Sequence, residues 1–204
     1  MMPKDSKLKR VKHDKLVSYI VPWYRQVPVA VFSLLAQTYS NIEIILAYDG
    51  VVDVDAARYI QVFNDPKIKF FSTTQRYNDW GHTPRNLGID KLSVDSTAVV
   101  FTGADNYYLP SFTTELISAL YQDAQTAAVY CDMLHNGTNW NTVNTRLQYS
   151  HIDCGCFMVK PDIAREFRWG NSTSWEDWIF IEKVINKYTI SAIKKVSRAL
   201  YVHN

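Results

Sequence analysis

The chain has 204 residues, 47% of them hydrophobic and 21% charged, with 22 Lys and Arg against 20 Asp and Glu for a formal net charge of +2. That length supports one domain with a real core, and the balanced charge excludes disorder and offers no ground for a nucleic-acid binder built on bulk charge. No apolar run approaches the roughly 18 residues of a spanning helix, and seven glycines are too few for linker-rich or multi-glycine phosphate-loop architectures.

The first 15 residues carry Lys4, Lys7, Lys9, Arg10, Lys12 and Lys15 against Asp5 and Asp14. No apolar segment of the secretory type follows. Residues 1–16 read as a solvated basic leader, with a loose electrostatic contact to an anionic membrane as the sharper alternative. Val17 to Val21 is an apolar run closed by Pro22, which reads as a strand and a loop. Pro28 opens a helical pattern with Val31, Leu34 and Leu35 on one face. Ile42 to Ala47 is a second buried strand, ended by Asp49-Gly50, and Ala56 to Phe63 reads as helix. Ile68 to Phe71 is a third strand, followed by a polar stretch from Ser72 to Thr83 that contains Trp80 and Gly81.

Pro84 to Leu92 reads as helix, Ala98 to Phe101 as a fourth strand, and Ser111 as the N-cap of a helix carrying Phe112, Leu116 and Leu120. Ala127 to Cys131 is a fifth strand. This βα alternation predicts an α/β fold, with a Rossmann-like, mostly parallel sheet covered by helices on both faces. Beyond residue 132 the pattern changes to a small mixed region. Leu147–Tyr149 and Gly155–Val159 read as strands, a helix follows Thr173-Ser-Trp-Glu-Asp177 with Trp178, Ile181 and Ile185 on one face, and Ile190–Ile193 reads as a last strand.

Ligands of open α/β sheets bind beyond the carboxyl ends of the strands. Pro22-Trp-Tyr24, Tyr48-Asp49-Gly50 and Gly103-Ala-Asp-Asn106 all fall there. No dinucleotide or phosphate-loop glycine motif is present. Cys154 and Cys156, with Cys131 and His151, have the ligand types of a zinc site without a recognised zinc spacing, and they read as buried thiols of a reducing, cytoplasmic setting.

Several segments, taken in order, resemble glycosyltransferase family 2, the inverting family with the GT-A fold. Val17 to Tyr24 is similar to the family's first strand, and Ser33-Leu-Leu-Ala-Gln-Thr-Tyr39 with Asn41-Ile-Glu-Ile-Ile45 to its S-L-L-A-Q-T-Y segment. Arg85-Asn-Leu-Gly-Ile89 matches R-N-x-G, Ala104 to Pro110 stands where the family has D-x-D and then Y-x-P, and Trp175-Glu-Asp177 stands where it has E-D. The resemblance implies that 17–204 is one catalytic domain, 17–131 holding a nucleotide sugar and 132–204 facing the acceptor. It implies a nucleoside diphosphate sugar, a uridine one, as donor and a saccharide or lipid-linked saccharide hydroxyl as acceptor.

By the same resemblance, Asp49 accepts from the base, flanked by Pro22 and Tyr24, and Trp23 stands where the family has a small residue. Arg85 and Asn86 face the diphosphate or donor sugar, joined by Ala104 and Asp105. Asp105, helped by His203, holds Mn2+ or Mg2+. Asp177 is the catalytic base and Glu176 orients a sugar. The chain departs from the pattern at Gly103 and Ala104, where the other carboxylate of the acidic motif is missing. That gap keeps a catalytically degenerate sugar-nucleotide binder as the alternative. A nucleotidyltransferase is disfavoured by the absence of a Gly- and basic-rich first loop. Read without the resemblance, Ser174-x-x-Asp177 and Thr173-x-x-Glu176 are helix-capping patterns. Asp153 reads as an acceptor-side residue or a plain strand-start acid, and Trp140, Trp169 and Trp175 as sugar-stacking or core rings.

Overall fold

A computed structural model describes residues 14–170 and 174–204. Most of the basic leader, and Thr173 with its capping pattern, lie outside the described residues. Strands β1 (Leu16–Trp23), β2 (Ile42–Tyr48), β3 (Ile68–Ser72) and β4 (Ser96–Phe101) pair in parallel in the order β3-β2-β1-β4. All of β2, and β1 beyond Leu16, are buried. Strands buried on both faces are continuous hydrophobic runs, which is why they are readable in the sequence. Chain order reverses across β1, so the edge between β1 and β4 is a topological switch point, where loops diverge and leave a crevice.

The buried exception on β2 is Glu43, which accepts from Ser18 Oγ at 2.5 Å, Ser93 Oγ at 2.6 Å and Lys69 Nζ at 2.6 Å. Burial opposes its charge, but Lys69, Ser18 and Ser93 outweigh it and hold the carboxyl below its usual range. Helices α1 (Ala30–Leu35), α2 (Val54–Val62), α3 (His82–Asp90) and α4 (Phe112–Leu120) connect the strands, with the short β5 (Tyr107–Tyr108) before α4. Ser111 is the N-cap residue of α4, as expected, though its side chain makes no capping bond.

The second half departs further from the sequence reading. The predicted fifth strand is β6 (Ala128–His135), and it does not lie beside β4. Strand β8 (Phe157–Val159) is inserted between them, antiparallel to both, after a 3-10 turn at Cys154–Cys156. Leu147–Tyr149 is not a strand. That role falls to β7 (Asn141–Val143), paired to β6, and residues 146–151 close a turn through Arg146 N–H on His151 O. Helix α5 (Pro161–Phe167), absent from the sequence reading, starts on its proline, as helices tolerate.

In α6 (Glu176–Tyr188) the fully buried stripe is Phe180, Ile181 and Val184, with Trp178 and Ile185 half-buried beside the core. Ile190–Ala192 is a 3-10 turn, and the last strand, β9 (Ile193–His203), begins where it was expected to end. β9 pairs parallel to β6 and antiparallel to β5, bringing His203 opposite His135. Its half-exposed polar residues hide it from a search for apolar runs.

The core runs as one cluster from Val17 to Tyr201. At its centre Phe101 stands edge-on to Trp169 and Phe180, with ring centroids 5.0 and 5.4 Å away. Trp169 is therefore a core ring. Among the described residues no helix is long and apolar enough to cross a membrane.

Candidate active site

Two adjoining clefts open at the carboxyl ends of β1, β2 and β4. The first, of about 400 Å³, is lined by Pro22, Trp23, Tyr24 and Gln26 at the end of β1, Asp49 after β2, Arg76, Asn78, Trp80 and Gly81 from the loop before α3, Arg85 of α3, and Gly103 to Asp105 after β4. The second, of about 340 Å³, is lined by Asp105, Asn106, Asp153, Asp177 and His203, among others. Trp80, Arg85, Gly103 and Asp105 line both, so the two are one bipartite groove. Of the residues singled out in the sequence, Pro22, Tyr24, Asp49, Arg85, Ala104, Asp105, Asp177 and His203 meet here.

Asn86 and Glu176 do not line the groove. The side-chain amide of Asn86 donates to Trp169 O at 2.8 Å and accepts from Trp169 N–H at 2.9 Å. Both ends of the amide are spent on one backbone unit, so Asn86 clamps α3 to the segment before α6. Asn86→Ala should lower unfolding free energy by about 2 kcal/mol, since it leaves two buried backbone groups unpaired. An unchanged urea midpoint would show that the clamp carries no weight. Glu176 is 3% exposed and accepts from Gly170 N–H at 3.2 Å, tying that segment to the start of α6. Neither acid of the pair acts through the Ser174 capping pattern: the N-cap is Trp175, with no side-chain capping bond.

On the first side, Asp49 accepts from Tyr77 N–H at Oδ1 and Asn78 N–H at Oδ2, both at 2.9 Å. Each oxygen keeps a second lone pair for a further donor. Arg76 stands over the Tyr24 ring, 4.0 Å from its centroid. The loop these contacts hold carries Asn78 and Trp80 at φ +52° and +56° and Gly81 at +83°. A side chain at Gly81 would start 2.8 Å from Pro22 Cβ, so only glycine lets the loop close on β1. Trp80, 62% exposed, is thereby presented to both clefts. Trp23 lines this cleft while almost fully buried, its ring packed against Tyr48, Tyr59 and Phe70.

Arg85 lies on the groove floor. It is 7% exposed, donates from Nη1 to Trp80 O at 2.8 Å, and its Nε is buried with no partner among the described residues. Burial works against its charge, but Cys154, Asp177 and Asp153 outweigh that and keep it cationic. His82 beside it is pushed down, by burial and then by Arg85.

On the second side, burial first and the charge of Asp153 second raise the Asp177 carboxyl to about 7, with Arg85 and Cys154 pulling the other way. His203 Nε2 faces Asp153 Oδ2 at 3.3 Å, and this pairing raises the imidazole against the effect of burial. The His203 ring stacks on His135, with centroids 4.4 Å apart and planes 5° from parallel. Asp153 is itself held below its usual range: burial is overcome by His203, Tyr201 and Gly155 N–H. Trp175 lies outside the lining, exposed and in contact with Tyr149 at 5.4 Å, and Trp140 is also exposed.

The three cysteines are free and buried. Among the described residues the only cluster of metal-ligating side chains within 4.8 Å is Asp153, Cys154 and Asp177, so His151 and the thiols form no zinc site there. Sequence reasoning passed over Trp80, Arg76 and Asn78, whose one signal was a large aromatic beside glycine in a polar stretch.

Residues 18–183 match the model of glycosyl transferase family 2. An uncharacterized glycosyltransferase of Rickettsia felis is 27% identical over 143 residues, covering 63% of this chain and 23% of that protein, so the chain spans less than a quarter of its curated relative. Among solved structures, S. aureus TarS 1-349 in complex with UDP-GlcNAc superposes with a TM-score of 0.70 at 15% identity, over 92% of this chain and 58% of that one. The mannosyltransferase PcManGT from Pyrobaculum calidifontis in complex with GDP-Man and Mn2+ gives 0.66 at 15%, over 92% and 56%. Glucosyl-3-phosphoglycerate synthase from Mycobacterium tuberculosis, with Mn2+, UDP and glucosyl-3-phosphoglycerate, gives 0.65 at 13%, over 100% and 78%.

Proposed function

The chain belongs to glycosyl transferase family 2, and from that membership and its GT-A fold we propose that it moves a sugar from a uridine diphosphate donor to a saccharide or lipid-linked saccharide hydroxyl, with inversion. The observation that carries this reading is the continuity of the groove: Arg85 and Asp105 belong both to the side holding Asp49 and to the side holding Asp177. The base lies against Asp49 and Tyr24, and the diphosphate over Arg85 and Asp105. The acceptor hydroxyl enters beside Asp177. Its oxygen attacks the anomeric carbon opposite the departing diphosphate, the bond from that carbon to the phosphate oxygen breaks, and Asp177 takes the hydroxyl proton. Glu176 acts through the segment it ties down and Asn86 through its clamp.

A divalent cation, Mn2+ or Mg2+, suits the donor set. Asp105 and His203 would hold it in a groove whose second side carries three carboxylates, Asp105, Asp153 and Asp177. When bound, it supplies Lewis-acid stabilisation of the leaving diphosphate. The buried free thiols support a reducing, cytoplasmic setting.

A base that titrates at about 7 must be ionised to work. kcat/KM should therefore rise with pH through about 7 and level off above it, and at pH 6 it should stand about tenfold below the plateau. A pH profile flat from 5.5 to 8 removes the base assignment. The reading as a whole is tested with UDP-sugars, Mn2+ and a panel of saccharide acceptors, following UDP release and the anomeric configuration of the product by NMR. The missing carboxylate at Gly103 favours one other reading, a binder without turnover. Tight UDP binding with no transfer across the panel would select it.

A further inference from the structure

We propose that Trp175 and Tyr149 form a saccharide platform at the acceptor end of the groove, and that the acceptor is a chain of at least two sugars. This deepens the transferase reading given above and rests on it. Two stretches of chain supply acids to the second cleft: the one that leads to Asp153 and the start of α6 with Asp177. Each carries a large exposed ring just outside the lining, Tyr149 at 47% and Trp175 at 54% exposure. The two rings meet, with centroids 5.4 Å apart and planes tilted by 49°. Ser174 lines the cleft and Trp175 follows it directly. Trp175 and Asp177 are two residues apart, so their Cα atoms lie within ~7 Å of each other. That is about the length of one pyranose unit.

Rings that served packing alone would lie against the core, as Trp169 does and as Leu147 beside Tyr149 does. These two face solvent, and the backbone holds them there. The turn around Tyr149 is closed by Gln148 N–H on Arg146 O at 2.8 Å and His151 N–H on Gln148 O at 3.0 Å. Ser150 within it stands at φ +64°, a conformation that a non-glycine residue keeps only where its surroundings enforce it. Trp175 O accepts from Trp178 N–H at 3.1 Å and Ile179 N–H at 3.2 Å, which fixes the other ring's backbone to the first turn of α6.

A pyranose has an apolar C–H face and a rim of hydroxyls. The tilted rings match the face, and the exposed Gln148, Ser150 and Ser174 next to them in the chain offer amide and hydroxyl groups to the rim. Two rings with polar neighbours make too small an apolar patch for a stable protein interface. A lipid chain would need the apolar surface to continue, but Leu147 is turned into the core. The sugar that receives the new bond therefore lies by Asp177, and the next one along stacks on the platform.

The test follows the tryptophan indole N–H signals of the isotope-labelled, UDP-loaded protein by NMR, the Trp175 signal being identified by its absence from Trp175→Phe. The probes are glucose and N-acetylglucosamine and their oligomers, from monomer to hexamer. The Trp175 signal should shift saturably, with oligomers binding more tightly than monomers. Affinity for oligomers should fall about tenfold in Trp175→Ala and in Tyr149→Ala, the loss of one stacking contact, with UDP affinity retained. A Trp175 signal that no sugar moves overturns the proposal, as does oligomer affinity unchanged in both folded variants. So does a signal that moves with protein concentration instead of sugar, which assigns the rings to a contact between copies. If Trp175→Ala does not fold, Tyr149→Ala and the wild-type titration decide. Transfer to saccharides at rates indifferent to their length and to Trp175 overturns the platform alone. Oligomer binding at Trp175 without transfer from any UDP-sugar supports the platform and overturns the transferase reading, which separates the two failures.

Discussion

Asp177→Asn should lower kcat by about a thousandfold, within the range that a positioned general base contributes, while the affinity for UDP-sugar stays the same or tightens. The amide has the size of the carboxylate and lies in the same half-buried setting beside Cys154 and Asp153. What it lacks is a lone pair basic enough to take a proton from an alcohol. It also removes one of the negative charges near the diphosphate, so any change in donor binding should be favourable. The measurement is product formation at saturating donor, with donor affinity taken separately by calorimetry. Turnover at the wild-type rate would move the base to another residue, and a parallel loss of donor affinity would mean that the site had collapsed.

Arg85→Met should raise the UDP dissociation constant by about a hundredfold, or about 3 kcal/mol, the size of effect seen when one partner of a desolvated charge pair is removed. Methionine fills much of the volume against Trp169, whose ring lies 4.8 Å from the guanidinium. It offers no donor to the anion. The same change should displace the pH profile. Arg85 pulls the Asp177 carboxyl down, so without it the acid limb of kcat/KM should move to higher pH. Lysine is not expected to rescue, because it lacks the planar fork that reaches Trp80 O and the groove together. Unaltered UDP affinity in a folded Arg85→Met protein would contradict the placement of the diphosphate.

β1, β2 and β4 were legible because strands covered on both faces are largely continuous apolar runs, as Val17–Val21, Ile42–Ala47 and Ala98–Phe101 are. The loops after them followed from the same logic, and with them Asp49 and Asp105. Past residue 132 that rule weakens. β9 carries Lys194, Lys195, Ser197 and Arg198 among its apolar residues, and its place is set by pairing with β6 and β5 rather than by its own hydrophobicity. β8 was bracketed two residues too widely, as Gly155–Val159, because Gly155 and Cys156 read as strand but belong to a turn closed by Gly155 N–H on the Asp153 carboxylate. Asn86 and Glu176 show the converse limit. Their motifs flagged them, but an alphabet of side chains does not say which way one points, and both are spent on backbone groups of residues 169 and 170.

The loop that presents Trp80 keeps Asn78 and Trp80 in the left-handed region, where non-glycine backbones cost of order 1 kcal/mol or more each. The fold carries that penalty permanently, and the Asp49 carboxylate keeps the loop from relaxing. Asn78→Gly would relieve part of it. Selection for heat resistance alone would therefore favour changes in this stretch and slacken the wall of the nucleotide cleft. Robustness and grip on the donor are opposed at a handful of neighbouring positions.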